Sequence, residues 1–243
     1  MKRLNLALLC TLPFAFAMTS GPAAAADAPT AFALSAGHTA LVVTDPQNDF
    51  LDTRGKAYGL FADNLKELNA IDNMERLFKM AKQAGLPVFV SPHGYFPTDH
   101  AWRDPGALQK QLLELGIFGR SDAVYASDLK DSGADFLARY KPYILDGKTV
   151  VTSPHKVYGP HSNDLVLQLR SRGIDTVVLA GLAANLCTDS HLRELVENGF
   201  RVAVVKDAVG APGADAYKAA LVNYGFIANA VWTTDEAVKA MGR

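Results

Sequence analysis

Three groups that together can cleave a carbonyl compound stand far apart in this 243-residue chain: a carboxylate at Asp45, an ammonium at Lys156 and a thiol at Cys187. A carboxylate can take the thiol proton, an ammonium can favour the thiolate and hold the carboxylate, and the sulfur can attack the carbonyl carbon. The cysteine closes the stretch Thr176-Val-Val-Leu-Ala-Gly-Leu-Ala-Ala-Asn-Leu-Cys187. Gly181 to Ala184 carry almost no side chain, so the backbone there can approach a ligand closely. From Cys187 the period changes: Leu192, Leu195 and Val196 recur at helical spacing until Gly199 stops the helix. A thiol at a helix N-terminus meets unpaired N–H groups and the positive end of the dipole, and both favour the thiolate. The competing reading is a buried, inert cysteine.

The elements that would position these groups follow from periodicity. Short apolar, β-branched runs predict strands at Thr39–Thr44, Pro87–Val90, Lys148–Thr152, Thr176–Ala180, Arg201–Val205 and Ala228–Trp232. Helical spacing predicts helices at Asp63–Ala84, Ala107–Leu115, near Ala134–Tyr140, at Asp164–Arg172, from Cys187, at Ala214–Tyr224 and at Thr234–Met241. Strand alternating with helix implies an α/β fold, a six-stranded parallel sheet with helices on both faces in three Rossmann-like layers. In such a sheet the C-terminal strand ends share one edge. Asp45, Lys156 and Cys187 each follow a strand and can converge there. The irregular stretch from Tyr95 to Asp146, with His100 and Trp102, could serve as a lid or substrate wall.

Met1-Lys2-Arg3, the apolar run Leu4–Met18 and the small residues ending in Ala24-Ala25-Ala26 have the three-part layout of a secretory signal peptide, cleaved near Ala26. The expected organisation is a signal over residues 1–26, a flexible arm over 27–38 and one domain over 39–243, located in the periplasm or secreted. Cleavage removes Lys2 and Arg3, which moves the formal charge from −1 to −3. Nothing in that balance points to nucleic acid or to a membrane surface. Cys10 leaves with the signal, so one of the two cysteines remains. That excludes an intrachain disulfide and a cysteine-built metal site, and marks Cys187 as an unpaired thiol in an exported protein.

The sequence resembles the isochorismatase-like cysteine hydrolases, which include nicotinamidases and carbamoylsarcosine amidohydrolases. The matching pieces are Val42-Val-Thr-Asp45-Pro-Gln-Asn-Asp-Phe50, Lys156 with Asn163-Asp-Leu165, Gly181-Leu-Ala-Ala-Asn-Leu-Cys187, and Val204-Val-Lys-Asp-Ala208. The resemblance implies a triad of Asp45, Lys156 and Cys187. It also implies a cis peptide between Leu182 and Ala183, and an oxyanion hole from the N–H groups of Ala183 and Cys187. The loop carrying Lys156 is shorter than the family pattern, which leaves Lys148 and Lys206 as alternatives. Nicotinamidases carry an Asp-x-His metal motif after the second strand, whereas this chain has Ser91-Pro92-His93. His93 and His100, helped by Asp99, could still meet a metal, but a substrate-lining or structural role is favoured, and no metal and no cofactor is expected.

His155, Tyr158, His161 and His191 are near the site in sequence, where each could orient substrate or serve a surface or capping role. Tyr158 and His93 are taken as substrate-binding. The expected activity is hydrolysis of an amide or ureido C–N bond in a small molecule through a thioester, by a homo-oligomer. The alternative is a non-catalytic ligand-binding or thiol redox-sensing protein on the same scaffold. A dinucleotide-dependent oxidoreductase is disfavoured because Asp45-Pro46-Gln47 stands where a glycine-rich turn would be.

Overall fold

The computed structural model describes residues 32–121 and 129–243. The expected signal over 1–26 and the first part of the arm lie outside the described residues. Six strands form one parallel sheet: β1 (Thr39–Thr44), β2 (Val88–Ser91), β3 (Val150–Val151), β4 (Thr176–Leu182), β5 (Arg201–Gly210) and β6 (Ala230–Trp232), in the order β3-β2-β1-β4-β5-β6. The chain moves outward from β1 to β3, then returns to the other side of β1 with β4. The strand ends of β1 and β4 are therefore where the connections diverge, which opens a crevice at the carboxyl edge.

Side chains alternate across the sheet, which sorts the core into two halves. Leu41, Val43, Val178 and Ala180 face Met74, Leu77 and Phe78 of α3 (Ala70–Gln83) and Ala237 and Met241 of α9 (Thr234–Met241). Ala40, Val42, Val177 and Leu179 face Leu165 and Leu169 of α6 (Leu165–Arg170), Leu192 and Leu195 of α7 (Asp189–Glu197), and Ala220 and Tyr224 of α8 (Ala214–Ile227). Each large side chain buried this way is worth about 1.5–3 kcal/mol. The three layers agree with the sequence reading.

Several element boundaries differ from expectation. The single helix expected over Asp63–Ala84 is two, α2 (Tyr58–Glu67) and α3, broken at Asn69. Asn69 is left-handed at φ 51°, and Asn73 Nδ2 donates to the freed carbonyl of Leu68 at 3.0 Å. Asparagine tolerates that conformation, and the apolar stripe keeps its phase across the break, so periodicity does not register it. Near Ala134–Tyr140 the structure has a 3₁₀ turn at Ala138–Tyr140 and α5 (Lys141–Ile144). Residues 32–38, expected as loose arm, pack on the sheet edge: the Phe32 ring stands edge-on to Trp232 at 5.3 Å, and the Arg201 guanidinium covers Phe32 at 4.7 Å.

Candidate active site

The register of β1 against β4 pairs Thr44 with Gly181 and so sets Asp45 beside the turn that follows β4. Gly181 has φ 115°, and a Cβ there would lie 2.1 Å from Thr44 O and 2.5 Å from Thr44 N, so only glycine permits this approach. Thr44 Oγ1 donates to Leu182 O at 3.0 Å and meets Thr188 Oγ1 at 3.1 Å, which pins the turn to β1. The Leu182–Ala183 peptide is cis. Ala184–Thr188 then form a π-helical turn that feeds α7, and Cys187 lies inside this turn.

Asp45 is fully buried with φ 49°, a conformation aspartate adopts more readily than most residues. Its Oδ1 is 2.8 Å from His155 Nε2, while its Oδ2 is buried without a hydrogen-bond partner. Cys187, 3 % exposed, has its thiol beside this carboxylate and donates to Val157 O at 2.8 Å. Burial pushes the thiol pKa well above its ordinary value, and the Asp45 charge adds to that push. The N–H groups of Ala183 and Cys187 face the sulfur and act in the opposite direction, without overcoming the burial. Burial thus outweighs the helix-end effect on which the sequence reading drew, and the shift is toward the thiol form.

The hydrogen bonds also constrain two of the three histidines around it, His155 and His191. His155 Nδ1 faces the carbonyl of Lys156, which only accepts, so Nδ1 carries a proton. Its Nε2 faces a carboxylate oxygen. Asp45 and His155 therefore hold one proton between them, as an imidazolium and carboxylate or as a neutral pair. His191 Nδ1 donates to Cys187 O at 2.7 Å, and Nε2 is left to accept from Ser91 Oγ at 2.8 Å. Asn163 Nδ2 in turn donates to Ser91 Oγ at 2.9 Å. His93 is buried with neither nitrogen hydrogen-bonded, its ring stacked on Phe118 at 4.7 Å and on His155 at 5.2 Å. Burial holds both His93 and His191 well below the ordinary histidine pKa, with His155 contributing to both shifts.

In front of the thiol opens a cavity of about 550 Å³, its mouth included, with His93, Val157, Ala183 and Cys187 at its base. Its wall is α4 (Ala107–Leu115), which presents Leu108, Gln111, Leu112 and Leu115. The Tyr95–Asp146 excursion thus supplies one wall of this cavity. The remaining residues of the Asp45–Phe50 motif carry the frame. Gln47 Nε2 donates to His93 O at 2.9 Å and to Ala134 O at 2.7 Å, and Gln47 Oε1 accepts from His93 N at 2.8 Å. The Asp49 carboxylate accepts from the backbone N–H groups of Lys56 and Phe118, and Phe50 lines the cavity.

Of the expected residues, the structure brings together Asp45, Cys187, Ala183 and His93. Two others lie elsewhere. Lys156 Nζ bonds Gly94 O at 3.0 Å and the Asp99 carboxylate, over the rings of Phe96 and Tyr95 at 4.5 and 5.5 Å. The partner of Asp45 is instead the preceding residue, His155, because successive residues of an extended chain point to opposite sides. Tyr158 is 52 % exposed, and Val157 takes the place at the cavity that was expected of it. Neither Lys148 nor Lys206 lines the cavity. His155, His191 and Ser91 are the functional candidates that the sequence reading passed over or left among several roles. One signal could have found His155: the tripeptide Ser-Pro-His follows β2 at 91–93 and β3 at 153–155, and the two histidines pair in parallel register.

His93, His155 and Cys187 also bring three ligand-capable atoms within 4.8 Å of one another. An ion held there would occupy the sulfur and compete with Asp45 for His155, so it is incompatible with the nucleophilic use of Cys187.

Comparison with known proteins gives a consistent picture. The family model for the isochorismatase domain matches residues 39–236. The ureidoacrylate amidohydrolase RutB of Variovorax paradoxus (strain S110) is 26% identical over 223 residues, covering 87% of this chain and 84% of the relative. Among solved structures, a cysteine hydrolase from Pseudomonas syringae pv. phaseolicola 1448A has a TM-score of 0.68 at 21% identity, over 86% of this chain and 95% of its own. N-carbamoylsarcosine amidase from Thermoplasma acidophilum has a TM-score of 0.58 at 23% identity, over 81% of this chain and 96% of its own. These two likenesses bear on the fold.

Proposed function

The chain belongs to the isochorismatase domain family, and from that premise we propose that it hydrolyses an amide or ureido C–N bond of a small molecule with Cys187 as nucleophile. The observation that carries this reading is one thiol at the cavity, with two backbone N–H groups facing its sulfur and, beside it, the Asp45 carboxylate with one oxygen free of any hydrogen-bond partner. The amidohydrolase and amidase activities named for the relatives agree with it.

The mechanism runs in two halves. In the first, the Cys187 proton passes to Asp45 Oδ2 as the sulfur attacks the carbonyl carbon. The carbonyl π pair moves onto oxygen, and the N–H groups of Ala183 and Cys187 hold the oxyanion. The oxyanion collapses, the C–N bond breaks, and Asp45 gives its proton to the leaving nitrogen. In the second, Asp45 takes a proton from water as the hydroxide attacks the thioester. The sulfur leaves as thiolate, regains the proton, and the acid is released. His155 holds the carboxylate through Oδ1, which leaves Oδ2 without a partner and open to the proton. Burial disfavours the free thiolate, so in this reading Asp45 has the task of taking the proton as the sulfur attacks.

The test is ammonia release from a panel of small primary amides and ureido compounds, with Cys187→Ser as the control. Release that depends on the sulfur supports the reading, and release that survives intact in the variant refutes it. Residues 1–26 are proposed, on the same footing, to direct export.

A further inference from the structure

The walls of the cavity say what kind of molecule it takes. Its sides are Phe50, Phe61, Leu108, Leu112 and Leu186, and the polar exceptions are Gln111 on α4 and, at the base, His93 and Cys187. Among the described residues no Lys, Arg, Asp or Glu lines it. Leu60 and Leu115, 62 % and 53 % exposed, continue the apolar surface to the mouth. Lys156 is committed to Asp99 and Gly94 and does not line the cavity. His93 at the base carries no charge, since burial keeps it neutral.

We propose that the substrate is an uncharged amide or ureide whose acyl portion is an apolar alkyl or aryl group, and that anionic substrates such as ureidoacrylate are excluded. This rests on the hydrolase reading above and deepens it. A carboxylate drawn into this cavity would lose its water and find no cation, a cost that an alkyl group of the same shape does not meet. The alkyl group, in contrast, gains from leaving water for the leucine and phenylalanine wall. The reacting end is served by the two backbone N–H groups, and His93 has one free donor and one free acceptor to meet the amide or ureide nitrogen and oxygen.

The experiment separates binding from turnover. Calorimetry on the full chain carrying Cys187→Ala compares 4-methylpentanamide with succinamate, which has the same shape but ends in a carboxylate. The neutral amide is expected to bind at least ~100-fold more tightly. Equal or tighter binding of succinamate overturns the proposal, and so does failure of both to bind. In a second arm, Leu108→Arg supplies the missing cation and is expected to narrow that ratio at least ~10-fold, with a thermal melt to confirm folding. Leu108→Met, which keeps the wall apolar, is expected to leave the ratio as it is. If the unsubstituted chain binds the neutral amide but releases no ammonia from it, the hydrolase reading fails while the cavity's preference stands.

Discussion

Replacing His93 by phenylalanine should make the protein less sensitive to acid, and the size of the effect can be worked out. His93 and His191 are buried, and their pKa values are held well below the ordinary 6.5. In the unfolded chain both take up a proton as pH falls through that value, while in the folded chain they stay neutral. The unfolded state then binds more protons, so stability falls as pH drops below about 6.5 and is fully present above it. Each histidine costs up to about 1.4 kcal/mol per pH unit in that window, which comes to about 2 kcal/mol at pH 5. Asp52 and Asp146, with pKa values lowered to about 2, are lost only in more acid solution and do not confuse the reading at pH 5. Urea unfolding at pH 7 and pH 5 should show His93→Phe losing less stability than the unsubstituted protein between the two, by up to about 2 kcal/mol. The ring stacks of His93 are compatible with phenylalanine, and the substitution removes two buried nitrogens that lack partners. Equal losses in both proteins would refute the claim that His93 resists protonation in the fold.

Other outcomes follow from the same geometry. His155→Ala should lower kcat/KM by ~100-fold or more, because Asp45 loses the group that aims it, whereas Lys156→Met should cost less than ~10-fold; steady-state kinetics giving the reverse order would return the triad to Lys156. Gly181→Ala should destabilise by about 3 kcal/mol or more, since its Cβ would strike the Thr44 backbone at a φ unsuited to alanine, and a thermal melt should show a drop of roughly 6–12 °C. Alkylation of Cys187 by iodoacetamide should be slow at pH 7 and rise with pH beyond 9, because the buried thiol ionises only above its ordinary range, and rapid reaction at neutrality would contradict this. N-terminal sequencing of exported material should begin near Asp27, and a chain that keeps Met1 outside the cytoplasm would count against the signal.

Much of the site was legible because it depends on rules of long range. Parallel strands put their carboxyl ends on one edge, so Asp45 after β1 and Cys187 after β4 had to be neighbours once the alternation of strands and helices was read. What the sequence could not convey was the choice between adjacent residues. His155 and Lys156 differ by one step along the chain, and that step turns the side chain from the Asp45 carboxylate to Asp99 and Gly94. The shortened loop made the alignment ambiguous where one residue of slippage mattered most. Asn69 shows the same limit, because a left-handed residue between two helices leaves the apolar stripe intact. The thiol state was missed for another reason. A helix end is a local feature, whereas the burial that outweighs it depends on segments distant in sequence, Val157 among them.

The ties made by Gln47 and Asp49 have a practical corollary for redesign. These two side chains fasten the loop bearing the acid to the backbone at His93, Phe118 and Ala134, and α4 hangs between two of those moorings. The reactive groups and the leucine-rich wall are thus mounted separately on one chassis. Directed evolution confined to Leu108, Gln111, Leu112 and Leu115 could retune what enters while the proton-handling parts keep their alignment.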